Sequence, residues 1–363
     1  MSIAKKIFLR NFFVTRIRLP NALKCAILLF KERREMNIKK LAEITGVSAG
    51  TVSKAFSGSK EISEITREKI FAAAKENGCF EQFDKKGTIK KVIAVICHEI
   101  ESEYYARAVA ATDKYLTENG AIMALSLTGF SHEKQAELVS YYSSRNKADG
   151  IIVFNSANAL RFNPDVPIVE IGGSGKSEVD IVRADDSQAF NDAIVYLKQN
   201  GHTEIGFIGE QFTKSRQTQF VKLLKENGLT PRPEYIFTSS ERFQTAGYNE
   251  MNKIYALKTR PTAIVAAYDQ IALGAIRAIR DHGDGVPETF SIIGFNDIPI
   301  ASYYNISLTT IRDNLTEVCR TAVDVILKKT ENKYYNVRQR ISLNSELVIR
   351  KTVKNVCPAE DKK

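Results

Sequence analysis

Hydroxyl and ammonium side chains cluster between Ser48 and Lys54, where seven residues hold three hydroxyls and one lysine. Such groups donate hydrogen bonds to phosphate oxygens and to the edges of bases. Val52, Ala55 and Phe56 are spaced at i, i+3 and i+4, so a helix here would turn them inward and leave the polar groups outside. The pattern therefore predicts a short helix whose outer face is small, polar and basic.

The segment before Ser48 predicts a first helix followed by a tight turn. Gly46 tolerates the positive φ that such a turn requires. Ser48 then fits an N-cap that accepts from the free N–H groups of the second helix. The apolar residues of this segment fall on one side of the first helix: Leu41, Ala42, Ile44 and Val47.

A third helix is predicted between a cap at Ser63 and an end at Gly78, with Glu64 near its positive end. Its apolar residues are available to close a small core: Ile65, Ile70, Phe71 and Ala74. A helix, a tight turn and a second helix with an open polar face is the geometry that enters the major groove of DNA. The alternative is a three-helix scaffold that binds no ligand.

This segment resembles the DNA-binding head of the lactose-repressor (LacI/GalR) family of bacterial transcription regulators. Gly-Val-Ser-x-x-Thr-Val-Ser-Lys at residues 46–54 is a specific signature, and the likeness continues to about Thr352. The resemblance aligns Ala49, Gly50 and Lys54 with base-reading positions. Because Gly50 offers no side chain, Lys54 is predicted to carry most of the direct readout. Contacts to phosphate are predicted for Ser48, Thr51 and Ser53.

The positive charge of the chain is concentrated at its front. Residues 1–35 carry nine Lys/Arg and two Asp/Glu, residues 36–91 carry eleven and seven, and residues 92–363 carry 32 and 33. A basic front and a neutral body are typical of a nucleic-acid-binding head on a ligand-sensing body, because phosphate contacts supply sequence-independent affinity. A lysine-rich surface that only maintains solubility is the alternative.

Residues 1–35 are interpreted as a leader assigned to the protein by a misplaced start, with Met36 as the true first residue. Their longest apolar run, Ala26 to Phe30, is shorter than the roughly 7 to 15 residues of a signal-peptide core. Residues 32–35 also correspond to an in-frame translation of an AGGAGG ribosome-binding site. A transit peptide and a basic arm that contacts phosphate are the alternatives.

The cysteines and histidines predict no disulfide framework and no metal site. The five cysteines are odd in number, widely spaced and without a Cys-x-x-Cys pair, which favours reduced thiols in the cytoplasm. No two of the four histidines have the spacing of metal ligands. No cofactor is predicted.

Residues 80–91 are predicted to link the head, residues 36–79, to the rest of the chain. The stretch is polar, basic at its end and broken by Gly87. Members of the family carry a longer junction with an Ala-Arg-x-Leu hinge helix whose Leu kinks the operator, and both that motif and that length are missing here. Either Phe80 or Phe83 replaces the wedge, or binding uses major-groove and phosphate contacts alone, which we favour.

Beyond Val92 short β-branched runs alternate with helical patterns, and the alternation restarts near Glu204. This rhythm predicts two doubly wound parallel sheets with helices on both faces. The resemblance implies two lobes of the periplasmic-binding-protein-like type, joined by crossovers near Asp185, Thr310 and Arg338. The N-terminal lobe is predicted at 92–186 and 312–337, the C-terminal lobe at 187–311 and 338–356, and a tail at 357–363.

Several stretches of the body match the family closely: residues 200–202, 269–274, 293–299, 308–311 and 347–350. Four positions depart from its pattern: His98, Asp186, Tyr268 and Cys319. A ligand of such a body belongs in the crevice where the carboxyl ends of strands face each other. The residues predicted to bind the effector, mostly from the resemblance, are Tyr104, Tyr105, Asp185, Arg216, Asp269 and Asn296. The alternatives are a helix cap for an Asp and ordinary packing for the Tyr pair.

The sequence thus predicts a helix-turn-helix head on an α/β body in a cytoplasmic transcriptional regulator that has no catalytic site. We expect it to bind a pseudo-palindromic operator as a homodimer or a dimer of dimers, without membrane attachment. The resemblance implies repression of carbohydrate-utilisation genes and a small-molecule effector, a sugar or a sugar phosphate. The alternative is a periplasmic-type sugar-binding protein without a DNA function.

Overall fold

The computed structural model describes residues 37–56, 59, 61–77, 79, 83, 91–144, 147–156, 160–161, 166–173, 177–303, 307–331 and 337–357. The interpretations of residues 1–35, of Phe80 and of the end of the tail at 358–363 fall outside these ranges, as does nearly all of the predicted linker. Contacts divide the chain into two compact units, residues 1–90 and 91–363. They are called the head and the body.

The described part of the head contains three short helices with defined bounds: α1 Ile38–Thr45, α2 Ala49–Phe56 and α3 Glu64–Glu76. Gly46 ends α1 with a φ of 69°, and its N–H donates to Ala42 and Glu43, so the chain can turn directly into α2. The Ser48 hydroxyl caps α2 by accepting from the N–H of Thr51 at 3.0 Å. Both the turn and the cap confirm what the sequence predicts.

The core of the head is made from one side of each helix. Its buried residues are Leu41, Ala42, Val52, Ala55, Phe56, Ile70, Ala74, Cys79 and Phe83. Ile44 and Ile65 were also predicted on the inner side, and that prediction is wrong, since their exposed fractions are 48% and 82%. The helical spacing places more apolar residues on the inner sides of these helices than this small core can bury. Phe83 packs on Phe56 at 5.8 Å between ring centroids, so its ring is buried and does not serve as an exposed wedge.

The first lobe of the body is a six-stranded parallel sheet. In sheet order its strands are β11 Arg340–Asn344, β5 Asp180–Asp185, β4 Ile168–Ile171, β3 Gly150–Phe154, β1 Val92–Cys97 and β2 Ile122–Leu127. Its helices are α4 Glu103–Glu118, α5 His132–Ser143 and α11 Leu315–Glu331. Apolar side chains cover both faces of this sheet, as its nearly continuous hydrophobic strands require.

The second lobe is also a six-stranded sheet, parallel except for one edge. In sheet order its strands are β12 Glu346–Val348, β10 Thr309–Arg312, β9 Ser291–Phe295, β8 Ala263–Ala266, β6 Ile205–Glu210 and β7 Ile236–Ser239. Its helices are α6 Ser187–Gln199, α7 Lys214–Glu226, α8 Phe243–Tyr255, α9 Asp269–Asp281 and the short α10 Pro299–Tyr303. The strand β12 pairs antiparallel with β10. The predicted fold class, a helix-turn-helix head followed in the chain by two doubly wound lobes, is confirmed.

The chain passes between the lobes where β5 leads into α6, where β10 leads into α11 and where β11 leads into β12. The third passage lies at Ser345, and the prediction that placed it near Arg338 is wrong. Residues 340–344 pair in parallel with β5 and therefore complete the first lobe. Alternating exposure along β11 made this edge strand hard to assign from sequence.

Two further features of the described chain bear on its chemistry. Its four cysteines are free thiols, with Cys79, Cys97 and Cys319 buried and Cys357 exposed. Within the same ranges, no helix combines the length and the apolar character that a membrane crossing would need.

Candidate functional site

The outer face of α2 in the head is open. Gly50, Ser53 and Lys54 are exposed on it, while Ala49 and Thr51 are half-buried. A Cβ added to Gly50 would meet only the Ser48 hydroxyl oxygen, at an ordinary 3.6 Å. Packing within the head therefore does not require glycine in the first turn of this helix. The missing side chain instead leaves room for the close approach of a partner.

Lys54 is the cation of this face, and it is held by a carboxylate. Its Nζ lies 2.5 Å from Oε2 of Glu61, with both side chains mostly exposed. The hydrogen bond and the charge of Lys54 lower the pKa of Glu61. Since the pair is solvated, a base edge or a phosphate can take the place of Glu61 at little energetic cost. The ammonium group is therefore oriented by Glu61 and remains exposed to solvent.

A cleft of about 510 Å³ lies between the two lobes of the body, within the size range of small-molecule sites. The first lobe contributes residues that follow β1, β2 and β3 and begin α4. The second lobe contributes residues that follow β6, β8 and β9 and begin α7, α8 and α9. Five of the six predicted effector residues line the cleft: Tyr104, Tyr105, Arg216, Asp269 and Asn296.

Arg216 is fixed by three neighbours. Its Nη1 donates to the carbonyl of Ala267 at 2.5 Å, its Nη2 lies 3.5 Å from the Asp186 carboxylate, and its guanidinium stacks over the Phe295 ring at 4.1 Å. The aromatic face and the two acceptors hold the guanidinium plane in one orientation. The remaining donors of this side chain are positioned for a ligand in the cleft.

Asp185, the sixth predicted residue, is absent from the lining of the cleft. Its Oδ1 accepts from the N–H of Ser187 and thereby caps the start of α6. The next residue, Asp186, lines the cleft and pairs with Arg216. The carboxylate available to a ligand at this crossover is therefore that of Asp186, one of the positions where the sequence departs from the family pattern.

Asp269 organises the floor of the cleft. Its side chain is fully buried, its Oδ1 accepts from the Thr310 hydroxyl at 2.5 Å and its Oδ2 accepts from the N–H of Ile298 at 2.8 Å. Gly294 leaves the space for this carboxyl, because a Cβ there would lie 2.2 Å from Oδ1. Burial raises the pKa of Asp269 to about 8.

Asn296 stands beside this floor in a left-handed conformation, with a φ of 92°. Its side-chain amide donates to Asp313 at 2.8 Å, and burial raises the pKa of that carboxyl. Arg107 of the first lobe approaches the carbonyls of Asn296 and Asp297 at 3.4 and 3.3 Å. The turn after β9 is therefore tied to both lobes.

The two tyrosines form the first-lobe wall. Their rings meet edge to face at 5.1 Å, and burial raises the pKa of both hydroxyls, so both are neutral donors. The Tyr105 hydroxyl accepts from the side-chain amide of Asn155 at 3.1 Å. His98 is held by Thr128 at 2.9 Å and by the carbonyl of Asn155 at 3.1 Å, and burial lowers its pKa. The histidine is a neutral part of this wall.

Aromatic rings also bridge the lobes. Phe130 of the first lobe stacks on Phe212 of the second at 4.1 Å with an interplanar angle of 11°, and His98 also stacks on Phe130 at 4.9 Å. Arg242 of the second lobe lies over both phenylalanine rings and 3.4 Å from the carboxylate of Glu99 in the first. This cross-lobe cluster lines one side of the cleft.

Sequence reasoning missed the cleft residues Phe130, Asn155, Glu210, Phe212, Arg242 and Asp313. Glu210 is the last residue of β6, and Asn155 and Asp313 directly follow β3 and β10. Phe130, Phe212 and Arg242 lie further along the loops after β2, β6 and β7. The position of strand ends could have drawn attention to Asn155, Glu210 and Asp313. The loop residues carry no such signal.

Comparison with known proteins matches both units. Residues 37–78 match the family described as bacterial regulatory proteins, lacI family, and residues 194–353 match the periplasmic binding protein-like domain. The chain is 30% identical over 332 residues to the HTH-type transcriptional repressor PurR of Pasteurella multocida (strain Pm70), which covers 88% of this chain and 98% of that repressor.

Solved structures share the fold. The lac repressor dimer bound to operator and the anti-inducer ONPF is 24% identical, with a TM-score of 0.73, and the match covers 88% of this chain and 99% of that chain. The complex of the transcriptional regulator CelR with cellobiose is 22% identical, with a TM-score of 0.61 and coverage of 88% and 100%.

Proposed function

Because the chain belongs to the lacI family of bacterial regulatory proteins, it is a DNA-binding transcriptional regulator, and we propose that it represses genes of carbohydrate use in response to a small ligand. The observation that carries this proposal is the open face of α2, with Gly50 uncluttered and Lys54 exposed and oriented. A recognition helix with such a face contacts base edges in the major groove.

The chain binds operator DNA as a dimer. One recognition helix covers only a few base pairs, so two heads related by two-fold symmetry are needed for a specific site. The similar lac repressor was solved as a dimer on its operator. We propose a pseudo-palindromic operator with half-sites about one helical turn apart, read mainly by Lys54 and held by phosphate contacts from Ser48, Thr51 and Ser53.

The effector is proposed to bind in the cleft of the body. A ligand that touches both walls stabilises one arrangement of the lobes over others, and only such a difference in affinity can change a conformational equilibrium. CelR was solved with cellobiose, which supports a sugar as the class of ligand. Arg216, Asp186 and Tyr105 are the direct contacts that the geometry favours, and Asp269 supports the floor beneath them.

The other function classes fit less well. A periplasmic-type binding protein has no use for a helix-turn-helix head, and the match of residues 37–78 favours the DNA function. The chain is a regulator and not an enzyme, as its similarity to transcriptional repressors shows. We place it in the cytoplasm, where its operator would be.

The test is selection of duplex DNA from a random library by the purified full chain. We expect the enriched sequences to contain two inverted half-sites about 10 base pairs apart. We also expect a sugar that binds the body to change the affinity of the chain for these sequences. A selection that enriched no motif, or a single half-site, would contradict the proposal. Intact mass of the native protein would decide whether residues 1–35 belong to it.

A further inference from the structure

Two buried polar atoms in the cleft have no hydrogen-bond partner within the described residues. They are Oε2 of Glu210, a residue that is 2% exposed, and Nε of Arg242. An acceptor or donor left unpaired in a protein interior costs about 1 to 3 kcal/mol, so such atoms are usually explained by a missing partner. Both residues line the same cavity.

Neither side chain is free to turn toward another partner. The Glu210 carboxylate accepts a hydrogen bond from the backbone N–H of Thr213, and the Thr213 hydroxyl accepts one from the backbone N–H of Glu210. These two bonds anchor Glu210 in the turn that follows β6. Arg242 is held by the Glu99 carboxylate at 3.4 Å and by the rings around it, of which Phe243 is nearest at 4.4 Å. The two unpaired atoms are therefore fixed features of the cleft.

Burial raises the pKa of Glu210, and the nearby charge of Arg242 opposes this by a smaller amount. Within the described residues, however, no salt bridge within 4 Å joins Glu210 to Arg242, and the carboxylate that pairs with Arg242 is that of Glu99. An unpaired acceptor and an unpaired donor on residues that line the same cavity could both be satisfied by one hydroxyl group, which donates a hydrogen bond and accepts another at the same oxygen.

The charges around the cleft do not suit a phosphate. The lining holds four acidic residues, Asp186, Glu210, Asp269 and Asp313, against two arginines. Each arginine already faces a carboxylate, Arg216 that of Asp186 and Arg242 that of Glu99. Burial raises the pKa of Glu210, Asp269 and Asp313, so this lining disfavours negative charge, and a phosphate ester would bring about two negative charges into it.

We propose that Glu210 and Arg242 form a subsite for a hydroxyl group of an unphosphorylated sugar, and that the cleft rejects the phosphate esters of that sugar. The hydroxyl donates to Oε2 of Glu210 and accepts from Nε of Arg242. The nearby rings of Phe212 and Phe243 add apolar surface for the C–H groups of the sugar ring. This inference rests on the proposed function, because it takes the cleft to be the effector site.

The experiment is a thermal-shift and calorimetric screen of the full chain. The probes are unphosphorylated mono- and disaccharides, including D-ribose and cellobiose, each next to its phosphate ester, with inorganic phosphate as a reference. We expect a stabilising member among the free sugars, with its ester at least tenfold weaker. Glu210→Gln should weaken that sugar at least tenfold, while Glu241→Gln, a matched change on the exposed loop before α8, should not.

The Glu210→Gln variant also tests the proposal in the absence of any ligand. If Oε2 of Glu210 is reserved for a ligand, the ligand-free Glu210→Gln chain melts at least as high as the parent. A melting temperature lowered by several degrees would mean that the carboxylate is structural and would overturn the proposal, as would an ester that binds as tightly as its sugar. If no probe binds, the ligand-free melting temperature decides. Failure of the parent chain to select operator DNA would instead count against the proposed function.

Discussion

Replacing Asp269 with alanine should destabilise the body strongly, although the residue lines the cleft. The change leaves the buried N–H of Ile298 and the buried hydroxyl of Thr310 without their acceptor. Each orphaned donor costs about 1 to 3 kcal/mol, so the free energy of unfolding should fall by roughly 2 to 6 kcal/mol. Asp269→Asn keeps one acceptor oxygen and should cost about half as much.

The pH dependence of stability provides a second measure of the same carboxyl. Its pKa is about 8 in the folded chain, against an ordinary value of 3.8. Between these values the folded state retains a proton that the unfolded state has lost, so the contribution of Asp269 is present at low pH and is lost as pH rises toward 8. The free energy of unfolding of the parent should fall over this range more steeply than that of Asp269→Asn.

The assay is chemical denaturation of both variants and the parent at several pH values, with Asp113→Asn as a control at an exposed carboxyl. Asp113→Asn should change the free energy of unfolding by less than about 0.5 kcal/mol. If Asp269→Ala stayed within 1 kcal/mol of the parent, the reasoning from buried hydrogen bonds would be refuted. Parallel pH profiles for Asp269→Asn and the parent would refute the assigned pKa.

Three further predictions concern the cleft and the head. A double-mutant cycle of Phe130→Leu and Phe212→Leu should give a coupling of about 0.5 to 1.5 kcal/mol in unfolding free energy, because the rings are stacked, and a value near zero would contradict that contact. Glu61→Gln should tighten binding to the selected operator more than binding to random DNA, because it removes the carboxylate that pairs with the base-reading Lys54; equal effects on both duplexes in titrations would contradict that role. Gly50→Ala should stabilise the head by up to about 1 kcal/mol in thermal unfolding yet weaken operator binding in gel shifts, and a variant that gained in both would contradict a DNA-facing role.

The order of helices and strands could be predicted because their apolar periods are strong. The strands Gly150–Phe154 and Ala263–Ala266 lie where the sequence placed them, since both are short apolar runs fully buried in a sheet. The edge strand at residues 340–344 was assigned to the wrong lobe, because its alternating pattern fits either sheet. Ile65 was placed inside because periodicity does not reveal how many apolar groups a small core can take.

The cleft was only partly predictable for a different reason. The resemblance correctly placed Arg216 and the two tyrosines in the lining of the cleft. It pointed to Asp185 and not to the neighbouring Asp186, because the sequence does not show which of these two carboxylates bonds to the start of α6 and which faces the cleft. Phe130, Phe212 and Arg242 come together only because the two lobes face each other. Pairings across a cleft leave no trace in the local sequence of either partner.

The central claim is that α2 reads bases through Lys54. The most direct test compares Lys54→Ala with the parent on the selected operator and on random duplex of equal length, with Lys69→Ala as a control that removes the same charge from α3. Loss of about 1 to 3 kcal/mol on the operator, with relaxed preference at one base position and little change on random DNA, is the predicted result. Equal losses on both duplexes, or losses no larger than those of Lys69→Ala, would contradict it.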